Sequence, residues 1–266
     1  MKRKNFLWAC LASIICMIAM TGCSVAANSV SDTDILSSSD DAEIRKRARI
    51  RLELASNYFE SGQVQVALDE TKQALATDPS YADAYNMLGL IYMHLNEFNK
   101  AEESFRRALN IKSLDPNIAH NYAWLLCVQE KYSEADRYFN IVISSKGYSS
   151  LGKTLMAQGL CQLSAKDYKE AEKTLLKSYE IDSLNPIVSY NLASLLFQRG
   201  DFKRSQFYIR RLNNSGMSNS ETLWLGLKVE RVLGDNIAMQ QLAEQLRKRF
   251  PESRELTLYE SKKFND

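Results

Sequence analysis

The stretch Ala84–Leu109, AYNMLGLIYMHLNEFNKAEESFRRAL, carries the pattern that decides the fold. It contains a small residue, Gly89, and a second one, Ala101, twelve residues later, and large apolar residues flank each of them at helical spacing. Two helices that cross closely require small residues at the crossing, while bulky residues three and four positions away fill the groove around it. The stretch therefore predicts a hairpin of two α-helices.

This pair of small residues recurs along the chain with a period close to 34 residues. The first member is Ala55, Gly89, Ala123, Gly159, Ala193 and Gly226, and the second is Ala67, Ala101, Ala135, Ala171, Ser205 and Ala238. That period is typical of tetratricopeptide (TPR) repeats, in which each helix hairpin covers the apolar face of its neighbour. We therefore predict an all-α fold, a right-handed superhelical solenoid of about six TPR helix hairpins.

Prolines mark several connections between the hairpins. Pro79 lies where the repeat expects it, whereas Pro116 and Pro186 come three residues late. Because the period is kept, we expect the preceding helix to run longer and the next helix to begin at the proline, which suits a first helical turn. The junction 144–153, SSKGYSSLGK, lacks proline and carries two extra residues, so it predicts a looser bend.

The N-terminal residues have the layout of a secretory signal peptide. Three cations at positions 2–4 precede an uncharged apolar run, Phe6–Met20, which is too short to span a bilayer comfortably. The run leads into Met20-Thr21-Gly22-Cys23, which resembles a bacterial lipobox. This resemblance implies cleavage after residue 22 and covalent attachment of diacylglycerol and an N-acyl chain to Cys23. The alternative is an ordinary secretory signal with an accidental cysteine at its end.

We interpret the segment after Cys23 as a flexible tether. Residues 24–41 contain six serines, four aspartates and no Lys or Arg, so they cannot bury enough surface to offset their ordering entropy. We therefore divide the chain into a lipoprotein signal peptide at 1–22, a lipidated cysteine and flexible tether at 23–41, and a TPR array at 42–266. The array ends in a short capping helix after Pro251, with Leu256 and Tyr259 on one face.

Charge and motifs exclude several classes of function. Without residues 1–22, 31 Lys and Arg stand against 32 Asp and Glu, so the basicity of the whole chain belongs to its signal. No Gly-rich phosphate loop and no Gly-x-Ser-x-Gly nucleophile motif occurs. We predict no enzymatic activity, no nucleic-acid partner, no small-molecule substrate and no cofactor or metal beyond the covalent lipid.

A histidine, a tryptophan and a thiol lie close together in His120–Cys127, HNYAWLLC. In the repeat register this is the first helix of the third hairpin, so its spacing reflects one helix face. A catalytic Cys–His pair needs an orienting group beside it and a metal site needs close ligand pairs, and neither pattern is present. Cys127 and Cys161 lie on adjacent first helices, where they are either buried thiols or a disulfide.

The first helix of each hairpin is expected to line a groove. Its groove residues are largely apolar, with Met and aromatic side chains, which suits the apolar face of a helix or an extended peptide. They lack the Lys and Asn with which chaperone-tail TPR domains hold a terminal carboxylate. For any one of them, packing between neighbouring helices is the alternative. The candidate partner-binding residues are Leu52, Ser56, Phe59, Asn86, Leu90, Met93, His120, Trp124, Met156 and Leu160.

Two longer phrases carry a family resemblance. They are 120–139, HNYAWLLCVQEKYSEADRYF, and 223–253, LWLGLKVERVLGDNIAMQQLAEQLRKRFPES. Together with the lipobox and the tether they resemble the type IV pilus biogenesis lipoproteins, the PilF/PilW pilotin family. The first phrase is similar to the family's Asn-Tyr-Gly-x-Phe-Leu-Cys segment, with Ala123 and Leu125 in place of Gly and Phe.

The resemblance implies a non-enzymatic adaptor on the periplasmic face of the outer membrane. Ser24, which follows the modified cysteine, also favours export to that membrane. Such an adaptor binds the pilus secretin and promotes its outer-membrane localisation and multimerisation, with the first repeats as the contact. Two other roles stay open. One is a TPR lipoprotein scaffold that recruits cell-envelope (peptidoglycan) enzymes. The other is an outer-membrane protein assembly factor, which fits the two phrases less well.

Overall fold

The computed structural model describes residues 38–264, a range in which α-helices alternate with turns and short loops and no β-strand occurs. Its helices are Ser38–Glu60 (α1), Val64–Thr77 (α2), Ala82–His94 (α3), Phe98–Ile111 (α4), Pro116–Val128 (α5), Tyr132–Ile143 (α6), Leu151–Ser164 (α7), Tyr168–Ile181 (α8), Pro186–Gln198 (α9), Phe202–Asn214 (α10), Ser220–Leu233 (α11), Asn236–Arg249 (α12) and Arg254–Glu260 (α13). None of these helices is long and apolar enough to cross a bilayer. The predicted signal peptide, the lipidation site Cys23 and most of the tether lie outside the described residues.

The helical part of the chain begins slightly earlier than the sequence predicts. The chain divides between Ala42 and Glu43, and the residues from Glu43 onward form one compact unit. The helix α1 starts at Ser38, so its first turn contains the last four residues of the predicted tether. Asp40 and Asp41 lie in that turn, where a carboxylate interacts favourably with the positive end of the helix dipole.

The helices α1–α12 form six consecutive hairpins, as the all-α TPR prediction requires. The small residues lie where the two helices of a hairpin cross. A Cβ atom on Gly89 would come within 2.6 Å of the Phe105 ring, and one on Gly159 within 2.7 Å of the Leu175 side chain. Real Cβ contacts are not this short, so these crossings admit only glycine without displacement of the partner helix. The spacing argument from the sequence is confirmed at these crossings.

Each hairpin turn contains one residue in the left-handed backbone region. The turn residues are Gly62, Asn96, Glu130, Lys166, Gly200 and Gly234, with φ between 59° and 79°. In the second hairpin the amide of Glu97 donates to the carbonyl oxygen of Tyr92 at 2.8 Å, and the amide of Asn96 donates to that of Met93 at 3.1 Å. These bonds close the end of the first helix in the manner of a Schellman motif.

The prediction that helices before Pro116 and Pro186 run longer is wrong. α2 ends at Thr77 and α4 ends at Ile111, one full period later, so the two helices end at equivalent places. The connection keeps its length, and only the position of the proline within it changes. Pro116 opens α5 as expected, and the Asp115 carboxylate caps this helix by accepting hydrogen bonds from two backbone amides.

The junction between the third and fourth hairpins is longer than the others, as its two extra residues predict. Seven residues, 144–150, separate α6 from α7, whereas four residues separate α4 from α5. The amide of Tyr148 donates to the carbonyl oxygen of Ser145 at 3.4 Å within this loop. Part of this length comes from α6, which has 12 residues, whereas the equivalent helices α2 and α4 have 14 each.

The array ends in the short capping helix α13. Leu256 is buried and Tyr259 half-buried, and both pack on the last apolar cluster, as predicted. Phe264 follows the helix and stacks on Trp224 of α11, with ring centroids 5.2 Å apart. The cap therefore covers the apolar face that the sixth hairpin would otherwise expose.

Candidate partner-binding groove

The first helices of the hairpins carry a row of half-buried side chains, which we call the groove face. In α3 the row consists of Asn86, Leu90 and Met93, whose spacing of four and three residues keeps them on one side of the helix. Nine of the ten predicted groove residues are half-buried in this way. These nine are Leu52, Ser56, Phe59, Asn86, Leu90, Met93, Trp124, Met156 and Leu160.

The apolar members of the groove face rest on a shared core. Leu90, Met93 and Trp124 pack against one buried cluster, and Leu90 also contacts the cluster that supports Leu52 and Phe59. The neighbouring first helices α3 and α5 contact each other directly. The inner side of each side chain is therefore held in place while its outer side remains accessible, as in a preformed docking surface.

His120 does not belong to the groove face, which corrects the sequence prediction. Its side chain is buried, and its Nδ1 atom lies 2.9 Å from the Thr154 hydroxyl of α7. The imidazole also packs edge-on against Phe139, with ring centroids 6.1 Å apart. Burial, with a smaller contribution from the charge of Lys153, lowers the pKa of His120 to about 4. His120 is therefore a neutral packing residue between α5 and α7.

The two cysteines of the described chain form a disulfide, which settles the question that the sequence left open. Cys127 of α5 and Cys161 of α7 have Cα atoms 5.7 Å apart and lie 34 residues apart along the chain. Both are buried. The bond joins the first helices of the third and fourth hairpins across the longest connection in the array.

This arrangement leaves no thiol for nucleophilic catalysis in the described chain. Cys127 is bonded to Cys161, and His94 packs edge-on against Phe59 with ring centroids 5.5 Å apart. Within residues 38–264, no three His, Cys, Asp or Glu side chains lie close enough to hold a metal ion.

The groove face extends to the C-terminal end of the array. There the groove positions of the fifth repeat, Tyr190, Ser194 and Phe197, which the sequence predicts, meet α11 residues that it does not. A pocket of about 320 Å³ lies there between α9, α11 and α13. Tyr190, Ser194 and Phe197 of α9 line one side, and Trp224 and Lys228 of α11 line another. On the same helix α11, Leu223 and Leu227 are fully buried.

Comparison with known proteins provides evidence about the function of this groove. A family model for the tetratricopeptide repeat matches residues 52–117. The type IV pilus assembly protein PilF of Pseudomonas aeruginosa is 26% identical over 248 residues, which cover 92% of this chain and 95% of PilF. The crystal structure of PilW, a widely conserved type IV pilus biogenesis factor, is 27% identical with a TM-score of 0.73, covering 80% of this chain and 97% of PilW. These similarities support a type IV pilus TPR protein.

A second solved structure supports the fold of this type IV pilus TPR protein. The structure of Pseudomonas aeruginosa PilF has a TM-score of 0.74 and 24% identity, and it covers 83% of this chain and 99% of PilF. The relatives and the TPR fold indicate a TPR protein of type IV pilus biogenesis. TPR arrays act by binding other proteins, so the groove face is the candidate site of this pilus TPR protein.

Proposed function

We propose that this protein is an outer-membrane lipoprotein adaptor, a pilotin, that binds the pilus secretin and promotes its outer-membrane localisation and multimerisation. The observation that carries the proposal is the groove face, with Leu90 and Met93 half-buried beside Trp124 on a fixed core. Further support comes from the similarity to PilF and PilW, which are pilus factors by name.

The groove face holds an apolar segment of the secretin in this account. Leu90, Met93 and Trp124 offer aliphatic, thioether and aromatic surfaces side by side, which suits the apolar side of a helix or an extended peptide. Burial of their accessible parts supplies the driving force, at about 25 cal/mol per Å² of apolar surface removed from water. The disulfide between Cys127 and Cys161 keeps α5 and α7 in register while the segment docks.

The N-terminal part of the chain carries the complex to the membrane. Acylation of Cys23 anchors the protein in the inner leaflet of the outer membrane, because each buried methylene contributes about 0.8 kcal/mol. The serine-rich residues that follow separate the array from that surface. The array itself then has no need of lipid contact.

The test is the state of the secretin in a strain that lacks this protein. We expect its detergent-resistant multimers to disappear or to form in the inner membrane, and to return with the intact gene. A Cys23→Ala variant tests the anchor separately, since it leaves the groove face unchanged. Normal outer-membrane multimers in the deletion strain, with defects in the cell wall instead, would contradict the proposal and favour the envelope-enzyme scaffold.

A further inference from the structure

The pocket at the C-terminal end of the groove face contains a lysine in unusual surroundings. Lys228 of α11 is half-buried, and its ammonium nitrogen lies 5.7 Å from the ring centroid of Phe197 and 5.6 Å from that of Trp224. Within the described residues it has neither a hydrogen bond nor an ion pair. Burial alone lowers the pKa of its ammonium group. A half-buried cation held only by two aromatic faces is incompletely compensated.

A second charged group on the same helix is buried together with hydrogen-bond partners of its own. Glu230, two residues after Lys228, is fully buried, and its carboxylate accepts hydrogen bonds from Arg210 at 2.6 and 2.7 Å and from Gln206 at 2.7 Å. Its charge is therefore satisfied inside the chain. Lys228 differs because its compensating partner is missing within the described residues.

Other charged groups around the pocket do not neutralise Lys228. Glu221 and Glu255 line it as well, and both raise the pKa of the Tyr190 phenol beyond the effect of burial. They therefore lie on the Tyr190 side of the pocket. Arg254 also lines the pocket. Neither Glu221 nor Glu255 forms an ion pair with Lys228, whose ammonium group lies over the Phe197 and Trp224 rings.

The pocket is continuous with the groove face. Tyr190 and Phe197 pack against the same buried cluster as Met156 and Leu163 of α7. Because α11 contacts α9, a peptide lying along the half-buried row of α9 would come close to Lys228. The occupant proposed below is an internal segment of the partner, so the group that meets Lys228 is one of its side chains.

We propose that this terminal pocket, formed by Tyr190, Phe197, Trp224 and Lys228, binds the carboxylate of a Glu or Asp side chain in the partner segment that occupies the groove. The ammonium group supplies a charge-assisted hydrogen bond, and the half-buried rings of Tyr190 and Phe197 receive the apolar residues that flank the acid. The carboxylate fixes the register of the segment, whereas the apolar row of α3 and α5 supplies most of the burial. Where the partner is the secretin, this inference rests on the proposed function.

A peptide experiment tests the pocket without the secretin. The full chain is purified in detergent and its lysines are labelled with ¹³C-methyl groups, so that the Lys228 signal can be followed by NMR. The probes are acetyl-Leu-Glu-Leu-amide and its neutral counterpart acetyl-Leu-Gln-Leu-amide. We expect the acidic peptide to bind at least about fivefold more tightly, and to raise the pKa of Lys228. Equal binding of the two peptides, or no change at Lys228 with either, would overturn the proposal.

Three variants separate the charge from the fold. Lys228→Gln removes the cation and is expected to abolish the difference between the peptides, whereas Lys228→Arg retains it. Lys203→Gln is the matched control, because Lys203 is exposed on α10 away from the pocket. A Lys228→Gln variant that folds normally and still prefers the acidic peptide would contradict the assignment.

Binding of the periplasmic part of the cognate secretin separates this inference from the proposed function. Both hypotheses are supported if Lys228→Gln binds the secretin more weakly than the wild-type chain does, and if this difference in affinity becomes smaller at high salt. If Leu90→Lys/Met93→Lys abolishes binding while Lys228→Gln has no effect, the carboxylate site is wrong and the adaptor role stands. If the secretin does not bind the wild-type chain but the acidic peptide does, the adaptor role is wrong and the pocket stands.

Discussion

Cys127 and Cys161 join the first helices of the third and fourth hairpins through a disulfide that spans 34 residues. The bond crosses the junction with the longest connection of the array, at residues 144–150. Each hairpin of a solenoid contacts only its neighbours, so a weak junction limits the cooperativity of the whole array. The disulfide therefore adds a covalent link between the third and fourth hairpins across this loop.

We expect removal of this disulfide to destabilise the array. Closing a loop of this length stabilises a folded protein by about 4 kcal/mol in the chain-entropy account. The double variant Cys127→Ala/Cys161→Ala is expected to unfold at a lower temperature, with the third and fourth hairpins no longer unfolding together. Circular dichroism with and without reductant measures this. An identical midpoint for the wild-type chain in both conditions would contradict the prediction.

The helix crossings give a second prediction, with a control in the same protein. Gly89→Ala places a Cβ atom 2.6 Å from the Phe105 ring, which is fully buried and cannot move aside, so we expect a loss of about 1–3 kcal/mol. Gly152→Ala meets only Ile181, at 3.1 Å, and Ile181 is exposed. Because alanine favours a helix over glycine by about 1 kcal/mol, we expect that variant to be neutral or slightly stabilised.

Urea denaturation of the two alanine variants under the same conditions decides this point. Equal losses at Gly89 and Gly152 would show that the crossing distance is not what selects glycine.

Because the Glu230 carboxylate is buried, we expect the protein to lose much of its stability when the partner Arg210 is replaced. Arg210→Met leaves this carboxylate without its bidentate ion pair, and we expect a loss of about 3 kcal/mol in the free energy of unfolding. Arg247→Met is the control, because Arg247 and Glu260 form an exposed pair at 3.6 Å that contributes less than about 1 kcal/mol. Thermal and urea denaturation compare the two variants. A loss at Arg210 no greater than at Arg247 would contradict this reading of Glu230.

His120 predicts a pH dependence of stability. Its pKa is about 4 in the folded chain, below the ordinary value of 6.5, so the unfolded chain binds the proton more readily. The contribution of neutral His120 to the free energy of unfolding is fully present above pH 6.5. It is lost as the pH falls toward 4, by up to about 3 kcal/mol. We expect His120→Gln to remove this part of the pH dependence between pH 7 and 5. An unchanged slope in the variant would show that His120 is not responsible.

The sequence predicts the hairpins well because steric exclusion at a helix crossing acts locally. The small residues at Gly89 and Gly159 are required by single contacts with Phe105 and Leu175. Helical geometry likewise places Leu90 and Met93 on one face, and the structure confirms that face. These features depend on spacing within a repeat, which a single sequence contains.

The features that the sequence did not predict depend on side-chain contacts between neighbouring hairpins. His120 has the register of a groove residue, but Thr154 of the next first helix covers it, and no periodic pattern reports that distance. Lys228 lies one full period of 34 residues after Ser194, but its position over the Phe197 and Trp224 rings depends on contacts between the fifth and sixth hairpins. Side-chain contacts between helices of different hairpins therefore had to come from the structure.

Binding of the purified secretin to groove-face variants tests the central claim most directly. Calorimetry compares the wild-type chain with Leu90→Lys/Met93→Lys, and circular dichroism verifies that the variant remains folded, since both side chains are half-buried. The account predicts that binding is lost in the folded variant and unchanged in Lys203→Gln, the exposed control. Wild-type affinity in a folded Leu90→Lys/Met93→Lys variant would remove the groove face from the mechanism.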